Sequence, residues 1–362
     1  MVKTLSFPSV YEATLREFCT NNDPILGFSK IKLDSMDYMV GLQAMNEGVS
    51  PHKSINASPE DTDYKLISSS ALVLASNMCQ KNTRNGKLTK MHITTGFPFA
   101  TYQMNRDNAA EFFQDEKIIT YYKAEETGDM KTEQKVISIA KVHVLPEVMG
   151  CDIAIRKGEN PIDGNYVIIS LGYGTCEGAV STPDGLMNRT LFSTHGMSYA
   201  INLFTQELNK NAYLRLKTEH QVDQIFTKGF IYIDRKKKDF APEKRKALQL
   251  YYTNVISPII KRYITDEDFE QCQKIILVGG GAYHADLINL FNQEFGDIAS
   301  VNVCREPEKC ASVGYEIYSK QNATNQEDEK ESFSSYSSLD SEDADYIGID
   351  IGNANTCVSV VA

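Results

Sequence analysis

Apolar strand-like runs that end in glycine turns and lead into helical segments predict an α/β protein with ligand sites at strand ends. Residues 166–171 form one such run and end at Gly172. Residues 274–278 form another, closed by Gly279, Gly280 and Gly281 and followed by a helical stretch at 286–294. One hairpin pattern, an apolar strand and then a Gly- and Thr-bearing turn, occurs twice, at 168–178 and at 349–361, and suggests two lobes.

Taken in order, residues 90–95 and 136–145 read as strands, with His143 a half-buried strand residue between Val142 and Val144. Residues 196–208 have helical periodicity. Residues 242–264 read as mostly helical, because Leu248, Tyr251, Tyr252, Val255, Ile259 and Ile260 share a face, and Pro258 is expected to kink or split the helix. Tyr121-Tyr122 and Tyr251-Tyr252 read as packing residues, and the basic run Arg235-Lys236-Lys237-Lys238 as a solvated loop. Residues 321–345 are rich in Ser, Asn, Asp and Glu, which predicts a disordered linker. The strand-like block 346–352 that follows shows that structure resumes.

The 362 residues suffice for two domains or one large two-lobed unit. With 42% hydrophobic and 23% charged residues the composition is that of a soluble globular protein. No apolar run approaches the roughly 18–20 residues of a membrane span, and residues 1–8 do not read as a secretory signal. Eight cysteines without a Cys-x-x-Cys pair read as reduced, mostly buried thiols of a cytoplasmic protein. The net charge of −11 argues against direct nucleic-acid binding, so that contact with DNA would pass through a basic partner.

Three turns carry chemistry. Asp350-Ile351-Gly352-Asn353-Ala354-Asn355-Thr356 joins two strands through residues that tolerate left-handed backbone. Successive N–H groups in such a turn can converge on a phosphate, and an Asp at the strand end suits a hydrated Mg²⁺. Ser170-Leu171-Gly172-Tyr173-Gly174-Thr175 repeats the shape. Gly279-Gly280-Gly281 lets backbone approach a flat or anionic ligand, although no Walker Gly-Lys-Ser/Thr follows. Each turn taken alone is equally compatible with an ordinary hairpin or strand-to-helix turn.

Together they resemble the phosphate-1, phosphate-2 and adenosine motifs of the actin, heat-shock-chaperone and sugar-kinase superfamily, and within it the ParM-type plasmid-segregation actins. Leu5-Ser6-Phe7-Pro8-Ser9-Val10 resembles the strand that follows phosphate-1 in that family. Tyr38-Met39-Val40-Gly41 with Ala44, Val144-Leu145-Pro146-Glu147, and Pro307 with Ala311-Ser312-Val313-Gly314-Tyr315 resemble further family marks. Phosphate-1, which opens the family's chains, here comes last. The resemblance thus implies a circularly permuted two-lobed actin-like fold with a nucleotide cleft between the lobes. Its first domain comprises 1–147, a connector helix at 306–320 and the phosphate-1 hairpin at 346–362; its second comprises 148–305. The linker 321–345, if flexible, spans roughly 25–30 Å, ample to join the family's natural termini.

The resemblance also implies ATP or GTP with Mg²⁺. Asp350 would hold the metal through water, and Glu147 would orient the attacking water. Gly352, Asn353, Asn355, Thr356, Gly172, Gly174 and Thr175 would contact phosphates, with Gly279, Gly280 and Gly281 at the adenosine end. Ser170 departs from the family's Asp, which implies slow hydrolysis. A filament-forming ATPase that moves plasmid DNA through a DNA-bound adaptor is the leading expectation. A non-polymerising nucleotide-dependent scaffold or pseudo-ATPase is the alternative; a small-molecule kinase or a chaperone fits less well.

Overall fold

The structure, a computed structural model, describes residues 2–14, 21–53, 58–79, 83–84, 87–88, 90–211, 219–330 and 344–361. The chain divides into two compact units, 1–162 with 309–362, and 163–308.

In the first unit, ten described strands form one sheet. The C-terminal hairpin, Ala344–Ile351 and Asn355–Val361, lies inside this sheet. Asn355–Val361 pairs antiparallel with the N-terminal strand Val2–Pro8, so that Val2 faces Val361. Ala344–Ile351 pairs parallel with Lys90–Phe97, which pairs parallel with Met130–Pro146. The expected strands at 90–95 and 136–145 are therefore present, the second as part of a longer hairpin with Asp115–Ala124.

The two faces of the hairpin differ in kind. Ile347, Ile349, Val358 and Val360 join Leu66, Ile67, Val73 and Leu74 of helix Thr62–Met78 in an apolar core. On the other face Gly348 and Ser359 meet the helix Cys310–Lys330. A Cβ on Gly348 would collide with the Ser312 carbonyl and stand 2.6 Å from the Glu316 amide nitrogen. Hydroxyls complete this contact. Ser359 donates to Ser312 at 2.9 Å, which donates to the Lys309 carbonyl at 2.9 Å, and Thr4 lies 2.8 Å from Ser359. Ser319 donates to the Ile347 carbonyl at 3.1 Å and lies 2.6 Å from the Thr94 hydroxyl. A second glycine, Gly314, brings the same helix against the Gly150 carbonyl of helix Glu147–Lys157. This contact corrects the expected domain boundary at 147/148: helix Glu147–Lys157 belongs to the first unit, and the division falls after Ile162.

The expected linker also begins later than composition suggests. Helix Cys310–Lys330 carries through its first ten residues, 321–330, and Ala344 already opens a strand. A helix anchored through its earlier turns continues into this polar stretch. Residues 331–343 lie outside the described residues.

The second unit holds a sheet in the order Gly185–Leu186, Thr175–Thr182, Tyr166–Leu171, Lys274–Val278, Ser300–Val303, with Phe192–His195 also on Thr175–Thr182. Its core gathers Val167, Ile169 and Leu171 with Phe204, Tyr251, Ile260 and Phe291. Helix Met197–Asn211 matches the periodic stretch at 196–208. The segment around Pro258 is helical but interrupted: Ala241–Tyr251 passes through a π-helical turn, Tyr252–Ile256, into Ser257–Tyr263. Proline there supplies no N–H, and the wider turn absorbs the missing bond. The basic run 235–238 is not a loop; it forms the tip and second strand of a hairpin, Phe230–Ile233 with Lys236–Asp239.

Two predictions follow from the helix that covers the hairpin. Gly348→Ala should cost about 2 kcal/mol or more, because the added methyl meets backbone atoms that cannot turn aside; the urea midpoint of the first unit's unfolding reads this. Glu316, 1% exposed on that helix, has its carboxyl raised by burial to about 7, with Lys320 opposing. The folded chain then keeps a proton that the unfolded chain loses at the usual carboxylate range. The contribution of Glu316 to stability is therefore fully present below that range and is lost as pH rises through about 7. Glu316→Gln should flatten that slope between pH ~5 and ~8, as denaturation across this range would show.

Candidate functional site

In the first unit the turn 352–354 is built from behind by one residue. Ser9, fully buried at the end of the Phe7-Pro8-Ser9 segment, donates its N–H to the Ala354 carbonyl at 3.0 Å. Its hydroxyl donates to the Gly352 carbonyl at 2.6 Å and lies 2.9 Å from the buried Thr356 hydroxyl. Ser9 spends its proton on Gly352, so Thr356 is the donor in that last contact. Gly352 itself is demanded by close approach, since a Cβ there would stand 2.6 Å from the Asn355 carbonyl.

Asp350 ends the strand that feeds this turn, and Glu147 is the first residue of helix Glu147–Lys157. The structure brings the two acids together: burial first, then the Glu147 carboxylate, push the Asp350 carboxyl well above the usual range. Both retain some exposure. A pair of crowded carboxylates is a set of hard oxygen donors, the chemistry that suits Mg²⁺. Asp350, Glu147, Gly352, Asn353, Asn355 and Thr356 thus all belong to one end of one sheet.

The second unit repeats the construction with different parts. The turn 172–174 joins Tyr166–Leu171 to Thr175–Thr182. The first amides of helix Met197–Asn211 and its preceding glycine close over the carbonyl side. Gly196 donates to Gly174 at 3.0 Å, Met197 to Gly172 at 2.9 Å and Ser198 to Tyr173 at 2.9 Å. Gly196, which sequence reading passed over, is required here because a Cβ would lie 2.6 Å from two of these carbonyls.

Lys274–Val278 runs parallel to Tyr166–Leu171 with Val278 opposite Ser170, so Gly279, Gly280 and Gly281 emerge beside the turn 172–174. Gly279 has φ +81°, and its Cβ position would meet the Leu171 carbonyl at 2.7 Å. Gly281 is held against Leu171 and Met197. Gly280 is different: a Cβ there would meet nothing within 4 Å, so packing does not demand glycine at this position. Ser170 is buried, and its cross-strand partner is Glu177, also 1% exposed. Glu177 is the acid that sequence reading missed; its register opposite Ser170 across a two-strand hairpin was the available signal. His143 sits half-buried in its strand against Tyr318, its imidazole lowered to about 4 by burial and the charges nearby.

Comparison with known proteins agrees with this fold. Residues 2–150 match a family model described as the N terminal domain of actin like proteins. The chain superposes on a pCBH ParM non-polymerisable quadruple mutant with TM-score 0.69 and 19% identity, over 87% of this chain and 92% of that one. It superposes on a ParM from a 15-stranded Clostridium botulinum filament with TM-score 0.65 and 16% identity, over 87% and 92%. The archaeal actin homolog Ta0583 in complex with ADP gives TM-score 0.60 and 15% identity, over 88% and 92%. No curated protein matches the sequence. The chain has an actin-like fold.

Ser9→Ala should leave the Gly352 carbonyl and the buried Thr356 hydroxyl without their partner and cost about 1–3 kcal/mol. Denaturant titration measures the loss, and Ser9→Thr should recover part of it.

Proposed function

We propose that the chain is a nucleotide-binding actin-like ATPase that assembles with copies of itself, with ATP or GTP and Mg²⁺ as ligands. One observation carries this reading. In both units a short glycine turn has its carbonyls tied from one side, by Ser9 in the first and by residues 196–198 in the second. Carbonyls tied from one side fix the shape of the turn, and converging N–H groups in a turn of that kind bind anions, phosphate above all. Gly280, glycine without a packing reason, suits close passage of a flat ring beside the second turn.

Mg²⁺, when bound, would neutralise charge on the phosphates. Asp350 would hold a water of its shell, and Gly352, Asn353, Asn355 and Thr356 would line the phosphates. In the second unit, Gly172, Gly174 and Thr175 would contact phosphate, with Gly279, Gly280 and Gly281 toward the nucleoside. Glu147, fixed at a helix start, would orient the attacking water. On the second unit's side, Glu177 would supply the acid that Ser170 does not. The order of these parts is a rotation of the order expected in such folds. Pairing of the strand Val2–Pro8 with the C-terminal hairpin supports that rotation, because the two chain ends meet inside one sheet. Self-assembly is inferred from a relative solved as a filament, and DNA cargo would reach such a polymer through a DNA-binding adaptor.

Nucleotide binding and phosphate release, measured on the same variants, test this. Glu147→Ala should lower hydrolysis by ~10²-fold or more and leave Mg-nucleotide affinity nearly unchanged. Asp350→Ala should weaken Mg-nucleotide binding itself. Glu177→Gln should slow hydrolysis, and Ser170→Asp in that background should restore part of it. Wild-type rates in both Glu147→Ala and Asp350→Ala would overturn the assignment.

A further inference from the structure

Two hairpin tips carry charge of opposite sign. The first joins Phe230–Ile233 to Lys236–Asp239 in the second unit. Arg235, Lys236, Lys237 and Lys238 follow one another there, and every residue of the strand Lys236–Asp239 is exposed. None of the four cations has an ion pair among the described residues. Lys237 rests 4.1 Å from the Phe230 ring, opposite Tyr232, which is 65% exposed.

The turn is a two-residue one with Asp234 at φ 48° and Arg235 at φ 66°. Glycine or asparagine is the favoured residue at such positions, and an Arg there is strained. Strain held at an exposed charge points to a use for that charge. The base is firm: the Phe240 amide donates to the Gly229 carbonyl at 2.7 Å, and Ile231 packs on the unit's core. The tip is thus presented in a fixed shape, which lowers the ordering cost of docking.

The second tip, in the first unit, joins Asp115–Ala124 to Met130–Pro146. It presents Glu125, Glu126 and Asp129, all exposed, on a turn closed by the Gly128 amide to the Glu125 carbonyl at 2.9 Å.

We propose that the basic tip of one copy docks onto the acidic tip of the next copy. A contact between two different surfaces of identical chains is head-to-tail, and repeats without limit when it does not close into a ring. A copy of the chain is favoured over nucleic acid as the partner because the whole chain carries −11, which repels an extended polyanion, while each copy brings a complementary acidic tip. The proposal deepens the self-assembly reading and rests on it.

Sedimentation of the full chain with Mg-ATP or Mg-GTP tests it, with nucleotide binding as the check that each variant is folded. Lys236→Glu with Lys237→Glu, and separately Glu125→Lys with Glu126→Lys, should each raise the critical concentration about tenfold or more. The chain that carries both reversals should return to within about threefold of wild type, and added NaCl should weaken wild-type assembly. Variants that pellet like wild type, or a combined chain as defective as its parents, would overturn the docking proposal and leave self-assembly standing. A wild type that never pellets would overturn both. Retention of duplex DNA by wild type but not by Lys236→Glu/Lys237→Glu, with pelleting unchanged, would reassign the basic tip to nucleic acid.

Discussion

The close seating of helix Cys310–Lys330 on the C-terminal hairpin is the contact on which the first unit depends. Two glycines make it possible, Gly348 on the sheet and Gly314 on the helix, because each lets backbone meet backbone where a methyl group would not fit. Such a contact brings polar main chain and hydroxyls into a dry place, and each must find a partner. Thr4, Ser359, Ser312 and Lys309 do so in one directed chain, and Thr94, Ser319 and Ile347 in another. The hairpin is thereby fixed between an apolar core on one face and a hydroxyl lattice on the other. The turn 352–354 inherits its position from that clamp and its shape from Ser9.

Charge is then placed on this rigid support. Asp350 and Glu147 arrive from different elements, a strand end and a helix start, and burial first, then the Glu147 carboxylate, raise the Asp350 carboxyl well above the usual range. Two acids in such proximity are unfavourable in the folded chain unless a proton or a cation relieves them. That cost is one that a cation-binding site can turn to use, since ligand and metal remove it together. The second unit reaches a similar turn by another route, with a helix start in place of a serine.

Much of this was legible in sequence because it is local. The runs 166–171 and 274–278 are mostly apolar and short, and the glycines that end them admit few alternatives to a strand entering a turn. The strand after the acidic tract was legible for the same reason. Other features depend on contacts between residues far apart in the chain. Ser9 is marked in sequence only as part of the segment 5–10, and its role shows when folding brings it to Gly352, 343 positions away. Gly196 and Gly348 show their purpose only through the backbone they touch. Composition misjudged residues 321–330, where an anchored helix continues, and residues 235–238, where a hairpin turn accepts a strained Arg. Glu177 was hidden because its meaning lies in register, one acid facing one serine across two strands.

Amide hydrogen exchange of the full chain, with and without Mg-nucleotide, tests the central claim most directly, because it reads the turn N–H groups themselves. Nucleotide should slow exchange at residues 352–356 and 172–175 and leave the hairpin 230–239 unchanged at concentrations below assembly. Unaltered exchange at both turns while nucleotide is bound would contradict their assignment as phosphate-binding elements.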